Sequence, residues 1–124
     1  MAKQIKVNAE QYEEIRKVSL ASSKNSSELQ QTNARIWFHN NSKKKNSLLL
    51  NEISGIPETV PMYQSIGRMF LLTPAVKLKE NIKLKTEEDE KELNTLNTKK
   101  IYLEKQKENY EKAVKEIINQ LEKQ

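Results

Sequence analysis

Met62-Tyr63-Gln64-Ser65-Ile66-Gly67-Arg68-Met69-Phe70-Leu71-Leu72 is the stretch on which the fold turns. Apolar and aromatic residues flank one glycine on both sides, with Val60 just upstream. Residues of this kind suit strands, and a glycine between two such runs marks a chain reversal. The segment therefore predicts a β-hairpin over about residues 59–72, turning near Ile66-Gly67. It lacks an Asn-Gly turn dipeptide, so the prediction draws on what surrounds it. Both glycines (Gly55, Gly67) and all three prolines (Pro57, Pro61, Pro74) lie between residues 55 and 74. Glycine and proline are the main breakers of regular structure, so the chain reads as long helix, punctuated insert, long helix.

The helix after the insert is the plainer of the two. Thr73-Pro74 suggests an N-cap followed by proline at the first helical position. Alternate steps of four and three from Ile82 pick out Ile82, Thr86, Asp89, Leu93, Leu96, Lys100, Leu103, Lys107, Tyr110, Val114, Ile117 and Leu121, eight of the twelve apolar. That is the narrow heptad seam of a coiled coil, not the broad apolar stripe of a globular helix. Glu87–Lys91, Glu108–Lys112 and Glu111–Lys115 stand at the i,i+4 spacing of intrahelical ion pairs. The run Glu87-Glu88-Asp89-Glu90 reads as a solvated face that weakens the seam at Asp89.

The helix before the insert has a fainter pattern. Asn8 and Gln11 have the spacing of a capping box, and Val7 and Tyr12 that of a hydrophobic staple. The same stepping from Ile5 gives Ile5, Asn8, Tyr12, Ile15, Ser19, Ser22, Ser26, Leu29, Asn33, Ile36, Asn40, Lys43, Ser47 and Leu50, of which six of fourteen are apolar. Residues 19–27 are serine-rich and form helix poorly, but no breaker interrupts them. The expected fold is mainly α: one domain over residues 1–124, a long antiparallel two-helix coiled coil joined by a single β-hairpin. Helix 1 covers about 8–54 and helix 2 about 74–122.

Composition narrows the function. The 124 residues contain no cysteine and one histidine, His39, so thiolate chemistry, Cys-based zinc sites and His-paired nucleophiles are excluded. No catalytic, metal or cofactor residues are expected, and the protein reads as no enzyme. The longest apolar run is Met69-Phe70-Leu71-Leu72, far short of the roughly 20 residues of a membrane span. Met1-Ala2-Lys3-Gln4-Ile5 opens without the apolar core of a secretory leader, so a cytoplasmic location is expected. The net charge of +5 raises nucleic-acid binding, but the one dense basic run, Lys43-Lys44-Lys45, shows no aromatic interleaving in sequence and no groove-reading motif. Nucleic acid and membrane are therefore not expected partners.

A lone two-stranded hairpin is marginal in water. This one exposes apolar residues on open edges, which invites pairing with strands of other chains. Met62, Tyr63, Ile66, Gly67, Met69, Phe70, Leu71 and Leu72 are accordingly the candidate oligomerisation residues.

Helix–hairpin–helix with the string Met62 to Leu72 resembles the β-type prefoldin subunits. Gly67-Arg68-Met69-Phe70 looks most like the subunit 1 paralogues among them. Lys99-Lys100-Ile101-Tyr102-Leu103-Glu104 is similar to a Lys-Lys-x-Tyr-Leu-Glu stretch of the same group, and Lys43-Lys44 with Leu48 to Ile53 agree loosely with the end of its first helix. The serine-rich 19–27 stretch and Ile36-Trp37-Phe38 depart from it. The resemblance implies a cytosolic, ATP-independent, hetero-hexameric co-chaperone, in which two α-type and four β-type subunits join hairpins into a β-barrel platform. It also implies coiled coils whose far tips hold unfolded actin and tubulin and deliver them to the cytosolic group II chaperonin. Both chain ends would then lie at the tip. Ile5, Val7, Tyr12, Val114, Ile117, Ile118 and Leu121 are the candidate client-binding residues there; Ile117 and Leu121 read first as closing the seam, and the client-facing reading is stronger for Val7 and Ile118, which lie off the stepping. The alternative is a generic coiled-coil adaptor or tether without chaperone activity, which has no need of the hairpin.

Overall fold

A computed structural model of the chain describes residues 8–123. The elements run α1 (Ala9–Ser54), β1 (Tyr63–Ile66), β2 (Met69–Leu72) and α2 (Ala75–Glu122). The chain divides into two compact units. One takes the residues up to Ala34 with those from Asn97 onward, and the other runs from Arg35 to Leu96.

The start of α1 follows from its first residues. The Gln11 amide donates to Asn8 Oδ1 at 2.7 Å, and the Asn8 amide donates back to Gln11 Oε1 at 3.2 Å. These two bonds satisfy orphan amides of the first turn reciprocally, as a capping box does. Val7, the other half of the expected staple, lies outside the described residues. The start of α2 differs from expectation. The Pro74 carbonyl accepts the first helical bond, from the Leu78 amide, while the Thr73 hydroxyl donates to the Leu71 carbonyl at 3.1 Å. Thr73 therefore closes the hairpin instead of capping the helix.

In α2 the inward residues are largely those the heptad stepping selects. Ile82, Asp89, Leu93, Leu96, Leu103, Ile117 and Leu121 are buried. Gln106 and Ala113 turn inward where Lys107 and Val114 were expected. In α1 every second seam position falls one residue earlier than expected. Tyr12, Ser19, Ser26, Asn33, Asn40 and Ser47 are exposed, and Gln11, Val18, Asn25, Thr32, His39 and Asn46 turn inward in their place, followed by Ile53. Only Val18 and Ile53 in that seven-residue column are apolar. The intervening column of Ser22, Leu29, Ile36, Lys43 and Leu50 is half-buried, as the stepping predicts.

Among the described residues, no fully buried side-chain nitrogen or oxygen lacks a partner, as burial requires. In the unit formed by the two chain ends, Asn25 Nδ2 donates to the Leu103 carbonyl at 3.0 Å, and the Thr32 hydroxyl donates to the Glu28 carbonyl at 2.8 Å. In the central unit, His39 Nδ1 lies 2.8 Å from Asp89 Oδ1, and Asn46 Nδ2 lies 3.5 Å from Asp89 Oδ2. An ionised carboxylate only accepts, which assigns the ring hydrogen to Nδ1. Asp89 is thus a buried seam residue, not a member of a solvated acidic face. Burial pushes its carboxyl up, but hydrogen bonds from His39 and Ser42 and the charges of His39 and Lys43 outweigh that and hold it below its ordinary value.

Ion pairs between the helices, Arg35 with Glu92 at 3.8 Å and Lys43 with Glu90 at 3.6 Å, flank this cluster. Both are solvent-exposed enough to contribute little. The three intrahelical Glu-to-Lys pairs expected in α2 do not close to ion-pair distance.

Asp89→Ala leaves the His39 ring and the Asn46 amide without their acceptor, and should cost roughly 1–3 kcal/mol in thermal unfolding of the full chain. The double variant His39→Leu/Asp89→Leu should recover only part of that loss, because apolar packing replaces the buried His39–Asp89 pair while the Asn46 amide still lacks its acceptor. The pH dependence has a defined sign. A carboxyl depressed in the folded state stabilises above its ordinary value of 3.8, and that contribution is lost as pH falls through the folded-state value. Acidification below that value should therefore lower the melting temperature more in the wild type than in Asp89→Asn, followed by circular dichroism.

Candidate functional site

The hairpin is built on a two-residue turn. Tyr63 pairs with Leu72, Gln64 with Leu71, Ser65 with Phe70 and Ile66 with Met69, leaving Gly67 and Arg68 as the loop. The reversal thus lies one residue beyond Ile66-Gly67. Gly67 has φ of +60° and is the only described residue in the left-handed region. A positive φ at the first loop residue alone is the pattern of a type II′ turn, which suits the right-handed twist of a hairpin. The ladder gains one more rung where the Thr73 amide donates to the Met62 carbonyl at 2.9 Å.

This sheet is almost uncovered. On the β1 side, Tyr63, Gln64 and Ser65 border a cleft of about 250 Å³ shared with Leu49, Ile53, Leu78 and Ile82 of the helices. No such neighbour covers β2. Phe70 is 77% exposed and Met69 68%, and Leu71 and Leu72 are exposed as well. Tyr63 and Ile66 add to the surface, while Met62 and Gln64 are half-buried. Paired residues share a face, so Phe70 and Leu72 with Tyr63 occupy one side of the sheet, and Met69 and Leu71 with Ile66 the other. A solvent-facing antiparallel sheet ordinarily keeps one polar face. Here both faces are largely apolar and β2 is open along its length, the condition that strand pairing with other chains relieves.

A second apolar group lies in the unit formed by the chain ends. Tyr12, Val114 and Ile118 are exposed there, while Ile117 and Leu121 are packed into the helix pair. Ile5 and Val7 lie outside the described residues. Among the described residues, no helix is long and apolar enough to cross a membrane. Nor does any group of three or more His, Cys, Asp or Glu side chains gather as a metal ion requires.

Comparison with known proteins agrees with this geometry. The family model described as prefoldin subunit matches residues 20–121. The chain belongs to the prefoldin subunit family. Its prefoldin relatives include subunit 1 of Arabidopsis thaliana, 36% identical over 78 residues, which are 63% of this chain and 61% of that protein. The probable prefoldin subunit 1 of Dictyostelium discoideum is 26% identical over 84 residues, covering 68% of this chain and 73% of that protein. The prefoldin subunit 1 of Danio rerio is 29% identical over 76 residues, 61% of this chain and 62% of that protein. Among solved structures, the crystal structure of the prefoldin β subunit from Thermococcus strain KS-1 superimposes with a TM-score of 0.72. It covers 95% of this chain and 97% of that one at 18% identity, a likeness of fold.

The prefoldin hairpin was legible in sequence, and three other features were not. The His39–Asp89 contact joins residues 50 apart, and no local pattern announces it. The Asn25–Leu103 bond depends on a backbone carbonyl that carries no sequence signature. The seven-residue column from Gln11 to Ile53 is regular, but hydrophobic stepping passes over it because most of its members are polar.

Two substitutions bear on the hairpin. Gly67→Val places a β-branched residue at a positive φ and should cost about 1–2 kcal/mol of hairpin stability. Faster hydrogen exchange at the Met69 amide, with exchange in the helices unchanged, is the expected readout. Phe70→Asp should abolish assembly with partner subunits while helical content persists, since it would place an unpaired charge wherever a partner strand pairs with β2. Size-exclusion chromatography of co-expressed subunits checks this.

Proposed function

We propose that this chain is a β-type subunit of a hetero-hexameric, ATP-independent prefoldin co-chaperone. Two α-type subunits and three further β-type subunits are its partners, and residues 1–124 work as one domain without catalytic activity. The observation that carries the reading is β2: four consecutive large apolar residues, all exposed, in a two-stranded sheet with open edges. Hairpins of partner subunits that pair with it would bury that surface and satisfy its edge amides and carbonyls.

The complex holds unfolded actin-like and tubulin-like clients and passes them to the cytosolic group II chaperonin. An unfolded chain offers little beyond apolar side chains and backbone, so a holding surface needs exposed apolar groups without a fixed shape. Tyr12, Val114 and Ile118 supply such groups. Ile117 and Leu121 already spend their surface within the helix pair, which leaves Ile118 as the main α2 contact near the C-terminus. Ile5 and Val7 extend the same group in sequence. The adaptor reading accounts for the helices but gives β2 no task.

Two measurements test the proposal. Purification of the tagged chain from cytosol, followed by mass spectrometry, should recover five other small coiled-coil proteins. Recovery of a homodimer alone counts against the hexamer. The triple variant Tyr12→Ser/Val114→Ser/Ile118→Ser should assemble normally, because none of the three is in the hairpin. It should suppress aggregation of denatured actin only partly, by a factor of roughly 2–5, since the remaining subunits still contribute to a multivalent grip. Suppression equal to wild type at matched concentration would remove these residues from the holding surface.

A further inference from the structure

In the central unit, α1 carries an apolar surface that belongs neither to the seam nor to the hairpin. Trp37 is 68% exposed, Phe38 63% and Leu48 65%. Ile36, His39, Lys43 and Asn46 turn toward α2. Positions 37, 41, 44 and 48 follow at helical spacing on the opposite side. Trp37 and Phe38 border a groove of about 230 Å³ with Asn41, Ser42, Lys45 and Asn46. The helix therefore sets aromatic rings next to the lysine run, an interleaving that linear order hides.

The charge that α1 itself brings to this face has one sign. From Leu29 to Asn51 the chain has no Asp or Glu. Of the basic residues in that span, Arg35 and Lys43 are paired with Glu92 and Glu90. Lys44 and Lys45 have no carboxylate within ion-pair distance among the described residues.

We propose that the Trp37–Phe38–Lys44–Lys45–Leu48 face docks an acidic peptide segment carrying an apolar anchor. Tryptophan is favoured at the centre of binding surfaces because its flat ring buries a large area with few rotatable bonds. Two ammonium groups beside it select for carboxylates and repel basic segments. Nucleic acid fits less well. Two free cations neutralise too few phosphates for useful affinity. A second copy of the chain fits poorly as well, because a two-fold contact uses the same patch twice and would bring both lysine pairs into one interface to which α1 contributes no carboxylate over residues 29–51. The inference stands apart from the hairpin and from client holding, so it survives if either fails.

The test uses the full chain in complex with its partner subunits. A fluorescein-labelled 15-residue peptide of alternating Glu and Phe clusters is titrated by anisotropy. The same peptide with Gln for Glu and a 15-nucleotide thymidine strand are the comparisons. The acidic peptide should bind at least tenfold tighter than the Gln peptide and weaken with added salt. Trp37→Ala and the double variant Lys44→Glu/Lys45→Glu should each reduce its binding at least tenfold with helical content unchanged. Trp37 is the one tryptophan of the chain. Its emission, taken as the difference from a Trp37→Phe complex, should shift to the blue on binding. Equal binding of the Gln peptide, or unchanged binding by either variant, overturns the proposal. Tighter binding of the thymidine strand with the same variant sensitivity overturns it in favour of a nucleic-acid site. Protection of Trp37 from acrylamide quenching in the complex alone overturns it in favour of a subunit contact.

Discussion

A two-residue reversal at Gly67 governs the rest of this chain. With φ at +60° and the strands paired from Ile66–Met69 outward, the turn leaves no freedom in register. A slip of one residue would exchange the faces on which Phe70 and Met69 stand. Because the strands are only four residues each, the hairpin cannot fold over and cover itself. The helices screen part of β1 and leave β2 open. The assembly role proposed for the hairpin follows from that geometry: its apolar surface and its unpaired edge groups are both relieved by strands from elsewhere.

The seam between the helices meets a different constraint. Apolar residues dominate the α2 side, but the α1 side presents Asn25, Thr32, His39 and Asn46 among its inward residues. Such a seam contributes less to stability than an aliphatic one, and it gains in what it forbids. Asp89 finds His39 and Asn46 in one alignment of the helices, and a shift by a turn would bury an unpaired carboxylate. Buried polar residues that set register at some cost in stability are well attested in coiled coils. With the assembly role proposed for the hairpin, the two helices still need to be aligned beforehand, and polar pairing does this within the chain itself.

Three of the exposed apolar groups among the described residues differ in what carries and rims them. The hairpin group is sheet-borne and suited to strand pairing. Tyr12, Val114 and Ile118 lie on helices in the other unit and suit contact without fixed geometry. The Trp37 face is helical too but rimmed by lysines, which makes it selective where the second group is not. Electrostatic rimming, more than apolar area, separates a specific docking surface from a general holding one.

Much of this was legible in the residues. Confinement of glycine and proline to residues 55–74 separates the helices from the insert, because those residues alone change backbone freedom sharply. The β-compatible run about Gly67 locates the hairpin for the same reason, and Leu93, Leu96 and Leu103 mark the α2 seam by spacing alone. Asn8 and Gln11 announce their capping box because both partners sit within one turn. Only the tertiary structure decided the α1 register, the burial of Asp89 and the role of Thr73. In each case a polar residue could face water or a partner, and the partner lies on a distant part of the chain or in its backbone. Hydrophobic periodicity is blind to such a choice. The adjacency of Trp37 to Lys45 belongs to the same class, since a helix brings together residues that linear order keeps apart.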